Sequence, residues 1–311
     1  MLLKDVIFRI LFLSQTGTGI LGNTLMLIVI NYIIFIQPSW RKSTDKILTQ
    51  LTFANLVSIT SRGVPETVFT FGIRHFLNDV GCKALLYVYR VSRGFTICTT
   101  SLLSIIQAII ISPNNGRWPW LKFRAVNFIY PSISFFWVLN MLINIRVITK
   151  STAIENYTSA RHGYFLKYCT SPGISFGFVS CIVIQDILFM FFMVLASVYI
   201  VILLCKHQKK LQEMHKSNHI QKCSPERRAT RSILCLVTCF VFFYLINSFL
   251  ILHKALASQK DTHLQSNFVL FSLCYPVLCP FLLMNTKNIY ILFKFLWSVL
   301  KETSLHYSLY S

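Results

Sequence analysis

Apolar residues in this chain gather into seven long runs, at 7–35, 47–73, 84–111, 125–145, 176–204, 233–252 and 267–284. A helix needs ~20 apolar residues to cross a bilayer. The pattern therefore predicts an all-α membrane protein, a seven-transmembrane helix bundle forming one domain over 1–311. The tail at 288–300 alternates apolar and basic residues, as a helix lying in the membrane interface would. The stretch from Cys82 to Pro113 organises the rest. It opens on a cysteine, stays apolar for about thirty residues and carries Arg90 and Arg93 in its first half.

Polar groups inside such runs need partners, because lipid offers none. Asn23 lies within the first run, and Asn55, Arg62, Pro65 and Glu66 within the second. Arg62 and Glu66 are four apart, a spacing that lets them pair on a helix. With Arg90, Arg93 and Asp186 they make five charged residues in the outer halves of three spans. Intramembrane charges face a bundle interior or a wet cavity. Two readings follow: mutual ion pairing that fixes helix register, or a ligand pocket walled by Tyr87, Tyr89, Phe95, Phe189, Phe243 and Tyr244. The candidate ligand contacts are Glu66, Tyr89, Arg90, Arg93, Asp186 and Tyr244. An excess of arginines over carboxylates there would suit an anionic or strongly polar ligand.

Composition supports the membrane reading: 54% of the residues are hydrophobic and 13% charged. The formal net charge of +20 would suggest nucleic acid in a soluble protein. In a membrane protein it marks loops and span ends instead, where Lys and Arg set orientation and meet lipid headgroups. Eight of them fall between Cys205 and Arg231. That segment is expected in the cytoplasm with the C-terminus, and the N-terminus outside. The first span reads as an uncleaved signal anchor. The glycan acceptor sequence Asn156-Tyr157-Thr158 then faces outward, as do Cys82 and Cys169. Those two cysteines either form a disulfide across the bundle mouth or remain free thiols. Cys98, Cys181, Cys235, Cys239, Cys274 and Cys279 sit in apolar runs and read as small buried hydrophobes. No His/Cys cluster has metal-site spacing, and no paired acid, HExxH or Ser/His constellation falls within the spans. Neither metal, cofactor nor catalysis is expected.

Several separated strings carry a family resemblance. They are Leu51-Thr52-Phe53-Ala54-Asn55 with Gly63-Val64-Pro65, Arg93-Gly94 with Ile97-Cys98-Thr99-Thr100-Ser101-Leu102-Leu103-Ser104, and Ile111-Ser112-Pro113. Ser134-Phe135-Phe136-Trp137 with Leu139-Asn140-Met141-Leu142-Ile143-Asn144 follows, then Ser224-Pro225-Glu226 with Arg228-Ala229-Thr230, and finally Pro276 with Pro280-Phe281. In these strings the chain resembles the vomeronasal type 1 receptors, a branch of the seven-helix G-protein-coupled receptors. The resemblance implies a plasma-membrane chemosensory receptor for a pheromone-like or odorant molecule, coupled to a heterotrimeric G protein of the Gi/Go class. It places Gln107, Pro113, Arg227 and Arg228 near the G protein. Gln107 stands where related receptors carry an arginine, and Cys279-Pro280 replaces an Asn-Pro pair. Asn55 stands where many carry a sodium-binding aspartate, which argues against a sodium site. A bitter-taste-like receptor is the alternative within the same class; a transporter or channel fits less, since the two halves show no repeat.

Overall fold

The computed structural model describes residues 2–36, 42–73, 76–113, 118–150, 152–153, 163–165, 169–172, 176–214, 234–246 and 262–284. Its helices are α1 (Leu2–Phe35), α2 (Asp45–Thr70), α3 (Asp79–Ile111), α4 (Trp118–Asn127), α5 (Ile129–Lys150), α6 (Phe176–Met214), α7 (Leu234–Ile246) and α8 (Thr262–Met284). Three short strands, β1 (Thr152–Ala153), β2 (Gly163–Phe165) and β3 (Cys169–Pro172), form an antiparallel sheet ordered β1-β3-β2.

The helix ends follow local chemistry. Asn78 caps α3, its side chain accepting from the Gly81 N–H at 2.8 Å. At the other end Ser112 is extended (ψ 143°), as a residue before proline prefers, and Pro113 stops the helix. Gly72 turns the chain after α2 at φ 99°, a value few other residues adopt. Pro131 has no N–H to give the Asn127 carbonyl, and the chain breaks at Phe128 between α4 and α5.

That break accounts for two differences from the sequence reading. The fourth span starts at Ile129 and runs to Lys150, four or five residues later at each end than expected. The stretch 114–124 before it, whose Arg117, Lys122 and Arg124 predict a loop, contains the start of α4, whose Pro119 sits in the first turn, where a missing N–H costs nothing. The polar segment 146–172 between the fourth and fifth runs contains the sheet. α6 extends ten residues beyond 204, to Met214. The sixth run appears as Leu234–Ile246, and its expected end to 252 lies outside the described residues, as do Asn156, Arg227, Arg228 and the tail at 288–300.

α3 is the central helix. Two thirds of its apolar stretch (67%) is buried, against 11% for α6, whose Ile184, Ile187, Leu188 and Phe191 face outward as lipid-facing residues do. α3 packs against α2, α5 and α6, while α1 packs on α2 and α8. Ile30, Leu51, Phe95, Leu103, Met193 and Leu236 are fully or nearly fully enclosed in the main core. Cysteine placement departs from expectation: Cys98 and Cys279 are buried, but Cys181 and Cys235 are exposed and Cys239 and Cys274 partly so. A thiol is apolar enough to face lipid as well as a core.

Some polar side chains within the bundle are tied to the backbone of a neighbouring helix. Pro280 cannot donate to the Pro276 carbonyl one turn back. Asn23 of α1 supplies the missing donor: its Nδ2 donates to Pro276 O at 3.0 Å and to Gly19 O at 2.8 Å. A kink residue in α8 is thus what the buried asparagine of α1 satisfies.

Candidate ligand site

An open-sided cleft lies between α2, α3, α7 and α8. Aromatic faces wall most of it, from Tyr89, Phe240, Phe243, Tyr244 and Tyr275. Ser58, Thr96 and Ser272 add small polar groups, and Arg93 is its one charged lining residue among the described residues. Arg93 side-chain exposure is 37% despite its position within a spanning helix, because it faces this space.

Arg93 Nη2 donates to Asp186 Oδ2 of α6 at 3.0 Å, and the Tyr244 hydroxyl of α7 donates to the same oxygen at 3.3 Å. The guanidinium also sits 5.7 Å from the Tyr244 ring centroid. One carboxylate oxygen thus ties α3, α6 and α7 together, and Asp186 is buried (5% side-chain exposure). Such a charge-assisted contact is stronger than a neutral one. Deeper in the cleft, the Thr100 and Tyr275 hydroxyls share a hydrogen bond of 3.0 Å, and Phe240 meets the Tyr275 ring edge-on at 4.6 Å.

Behind this clasp a second network locks α3 to α5 and α6. Gln185 Nε2 donates to Asn140 Oδ1 at 2.9 Å, while Asn140 Nδ2 donates to Phe136 O at 2.8 Å. Both amides also reach the Cys98 sulfur. Gly94 is the residue that lets Asn140 approach, since a Cβ there would overlap Asn140 Oδ1. The amide cannot simply swing aside, because both its ends are bonded. We expect Gly94→Ala to lose about 1–3 kcal/mol to overpacking, read as a lower melting temperature of the detergent-solubilised protein. A melting curve matching the parent would show that the network yields freely.

The other candidates from sequence fall elsewhere. Arg62 (2% exposed) and Glu66 (0%) lie buried one turn apart on α2, with Arg62 5.2 Å from the Tyr89 ring centroid. Arg90 lies 5.8 Å from the Phe178 ring, in the region of the Cys82–Cys169 disulfide. Glu66, Arg90 and Asp186 are outside the cleft lining, though Asp186 is bonded to Arg93 and Tyr244, which line it. Phe95 stacks on Trp137 at 4.1 Å, Phe189 packs edge-on against Phe136, and Tyr87 donates to Met141 O. None of these three aromatics lines the cleft. Ser58, Thr96, Phe240, Ser272 and Tyr275 do line it, and the sequence alone does not single them out. Only a helical-face alignment across α2, α3, α7 and α8 would gather them.

At the opposite end of α3, Gln107 is buried and Pro113 exposed. The Ser112 and Tyr199 hydroxyls share a hydrogen bond of 3.0 Å, and Trp118 of α4 stacks on Tyr199. Asn55, buried in α2, accepts from the Thr96 hydroxyl at 3.3 Å. Among the described residues no group of three or more His, Cys, Asp or Glu is placed to hold a metal ion.

A bundle of apolar helices around a central α3, with a half-polar cleft among its outer halves and a disulfide at its mouth, defines a seven-helix receptor of the G-protein-coupled class. The chain belongs to the vomeronasal organ pheromone receptor family, whose sequence model matches residues 6–298. It is 35% identical over 300 residues to human vomeronasal type-1 receptor 4, covering 92% of this chain and 96% of that one. Human vomeronasal type-1 receptor 3 is 35% identical over 287 residues, covering 91% of each chain. The zebrafish (Danio rerio) olfactory receptor class A-like protein 1 is 31% identical over 284 residues, covering 89% and 88%. The chain is therefore a multi-pass membrane receptor and not an enzyme. The alternatives within and beyond the receptor class, a bitter-taste-like receptor, a transporter or a channel, give way to this membership.

Proposed function

We propose that the cleft among α2, α3, α7 and α8 binds the pheromone-like ligand, with Tyr89, Arg93 and Tyr244 in its lining and Asp186 behind Arg93 and Tyr244. The observation that carries this reading is Asp186, whose carboxylate joins three helices at the edge of an otherwise aromatic cleft. A ligand entering there contacts the residues that set the spacing of α3, α6 and α7. It can then favour one helix arrangement over another by its differential affinity for the two. The G protein would meet the far ends, at Gln107, Pro113, Arg227 and Arg228, and belong to the Gi/Go class. The chain would work as a single seven-helix domain.

The test is a calcium or cAMP response in cells expressing the full chain, with surface amount measured on the same cells. Ser272→Phe, which fills the cleft from α8, should reach the surface and lose the response to an active member of a small-molecule panel. Pertussis toxin should abolish the same response. A response unchanged by Ser272→Phe would move the ligand site elsewhere. One that resists the toxin would change the G-protein class.

A further inference from the structure

We infer that Asp186 sets the specificity of this cleft by cancelling the charge of Arg93, so that the site selects neutral molecules carrying a hydrogen-bond acceptor and rejects anions. The inference rests on the cleft being the ligand site. Its chemistry follows from which charges face one another. Read alone, Arg93 looks like an anion receptor, with five N–H donors on a permanent cation. In the folded chain that cation is already matched. Its Nη2 lies 3.0 Å from Asp186 Oδ2.

The surrounding elements do not restore a surplus. α2 brings one positive and one negative side chain, Arg62 and Glu66, both buried, one helical turn apart and outside the lining. Arg90 of α3 is 5.8 Å from the Phe178 ring and outside the lining. The described residues of α7 and α8 contain no Asp, Glu, Lys or Arg. Arg93, the one charged residue of the lining among the described residues, is thus offset by the Asp186 carboxylate at 3.0 Å.

An anion entering this space would give up its hydration and meet a cation whose field a carboxylate already offsets. A neutral carbonyl or ether gives up far less. It can accept from a guanidinium N–H other than the one engaged by Asp186, while its carbon skeleton packs on Tyr89, Phe240, Phe243 and Tyr275. Asp186 is then a specificity residue that acts through Arg93. Removing its charge should turn the cleft towards anions without altering its walls.

The test needs no identified ligand. Ser272→Cys places a thiol on the cleft wall. Its reaction rates in membranes holding the full chain are measured with three methanethiosulfonates: neutral methyl, anionic sulfonatoethyl and cationic trimethylammonioethyl. Rates are corrected for the parent chain, whose own cysteines react, and scaled to those of free 2-mercaptoethanol. The expected scaled anion-to-cation ratio is near one. Adding Asp186→Asn should raise it about tenfold, Arg93→Gln should lower it by a similar factor, and the two together should return it towards one. A strong anion preference in Ser272→Cys itself overturns the inference, as does a ratio that neither charge substitution moves. In both cases reaction with the neutral reagent would leave the cleft standing as a ligand site. Failure of all three reagents to react would show the cleft closed, and would overturn the ligand-site reading along with the inference.

Discussion

Replacing Arg93 with alanine is expected to cost the receptor about 3–5 kcal/mol, the usual penalty for leaving a buried charge without its partner, and with it most of the protein at the cell surface. The asymmetry with the reverse substitution is the informative part. Asp186 has 5% of its side chain exposed and Arg93 37%. Loss of Arg93 leaves a carboxylate enclosed among helices, with the Tyr244 hydroxyl as the other donor seen at its Oδ2. Loss of Asp186 leaves a guanidinium that faces an open cleft and a tyrosine ring 5.7 Å away. Asp186→Ala should therefore be the milder change. The pair Arg93→Gln with Asp186→Asn, which keeps a neutral hydrogen bond across the same gap, should recover most of the surface amount lost in Arg93→Ala. Surface labelling of a tagged chain and melting in detergent measure all three. Equal losses from the two alanine variants, or no rescue by the neutral pair, would show that the contact does not hold the bundle.

The same clasp shows how far the sequence can be read. Charges inside apolar runs are rare and costly, so Arg93 and Asp186 stand out at once, and their being brought together follows from α3 and α6 packing side by side. Spans are legible for a similar reason: twenty apolar residues admit few other fates. Direction is not legible. Phe95 and Phe243 are the same residue type on spanning helices, yet one stacks on Trp137 in the core and the other walls the cleft. Small hydroxyl residues are harder still. Thr99 bonds the Phe95 carbonyl of its own helix, and Thr100 does the same one residue on while also reaching Tyr275. Nothing in one chain distinguishes a hydroxyl that satisfies itself locally from one that links two helices. Helix α4 escapes the sequence reading because Arg117, Lys122 and Arg124 make its stretch look like a loop, whereas the proline at Pro119 suits the first turn of a helix.

Cys82→Ser and Cys169→Ser should each remove most of the mature receptor from the surface, and the double substitution should do no more than either alone. The bond joins the first turns of α3 to β3, with Cα atoms 5.8 Å apart and a sequence separation of 87. In the chain-entropy account, closing a loop of that length is worth about 4.5 kcal/mol. Here the constraint acts on a defined piece of chain. α5 is anchored in the bundle and runs out to β1, β3 pairs with both β1 and β2, and α6 re-enters the bundle at Phe176. The disulfide pins the middle strand of that sheet to the head of the central helix, where Leu86, Val147 and Phe178 enclose it. Without it, a three-stranded sheet whose strands are two to four residues long has little of its own to hold it over the bundle. Each single substitution breaks the same bond, so their effects cannot add. The added damage of a single variant, an unpaired thiol in an oxidising compartment, disappears in the double. A double variant markedly worse than both singles would mean that the two cysteines act separately and that the bond is not what holds the outer sheet in place.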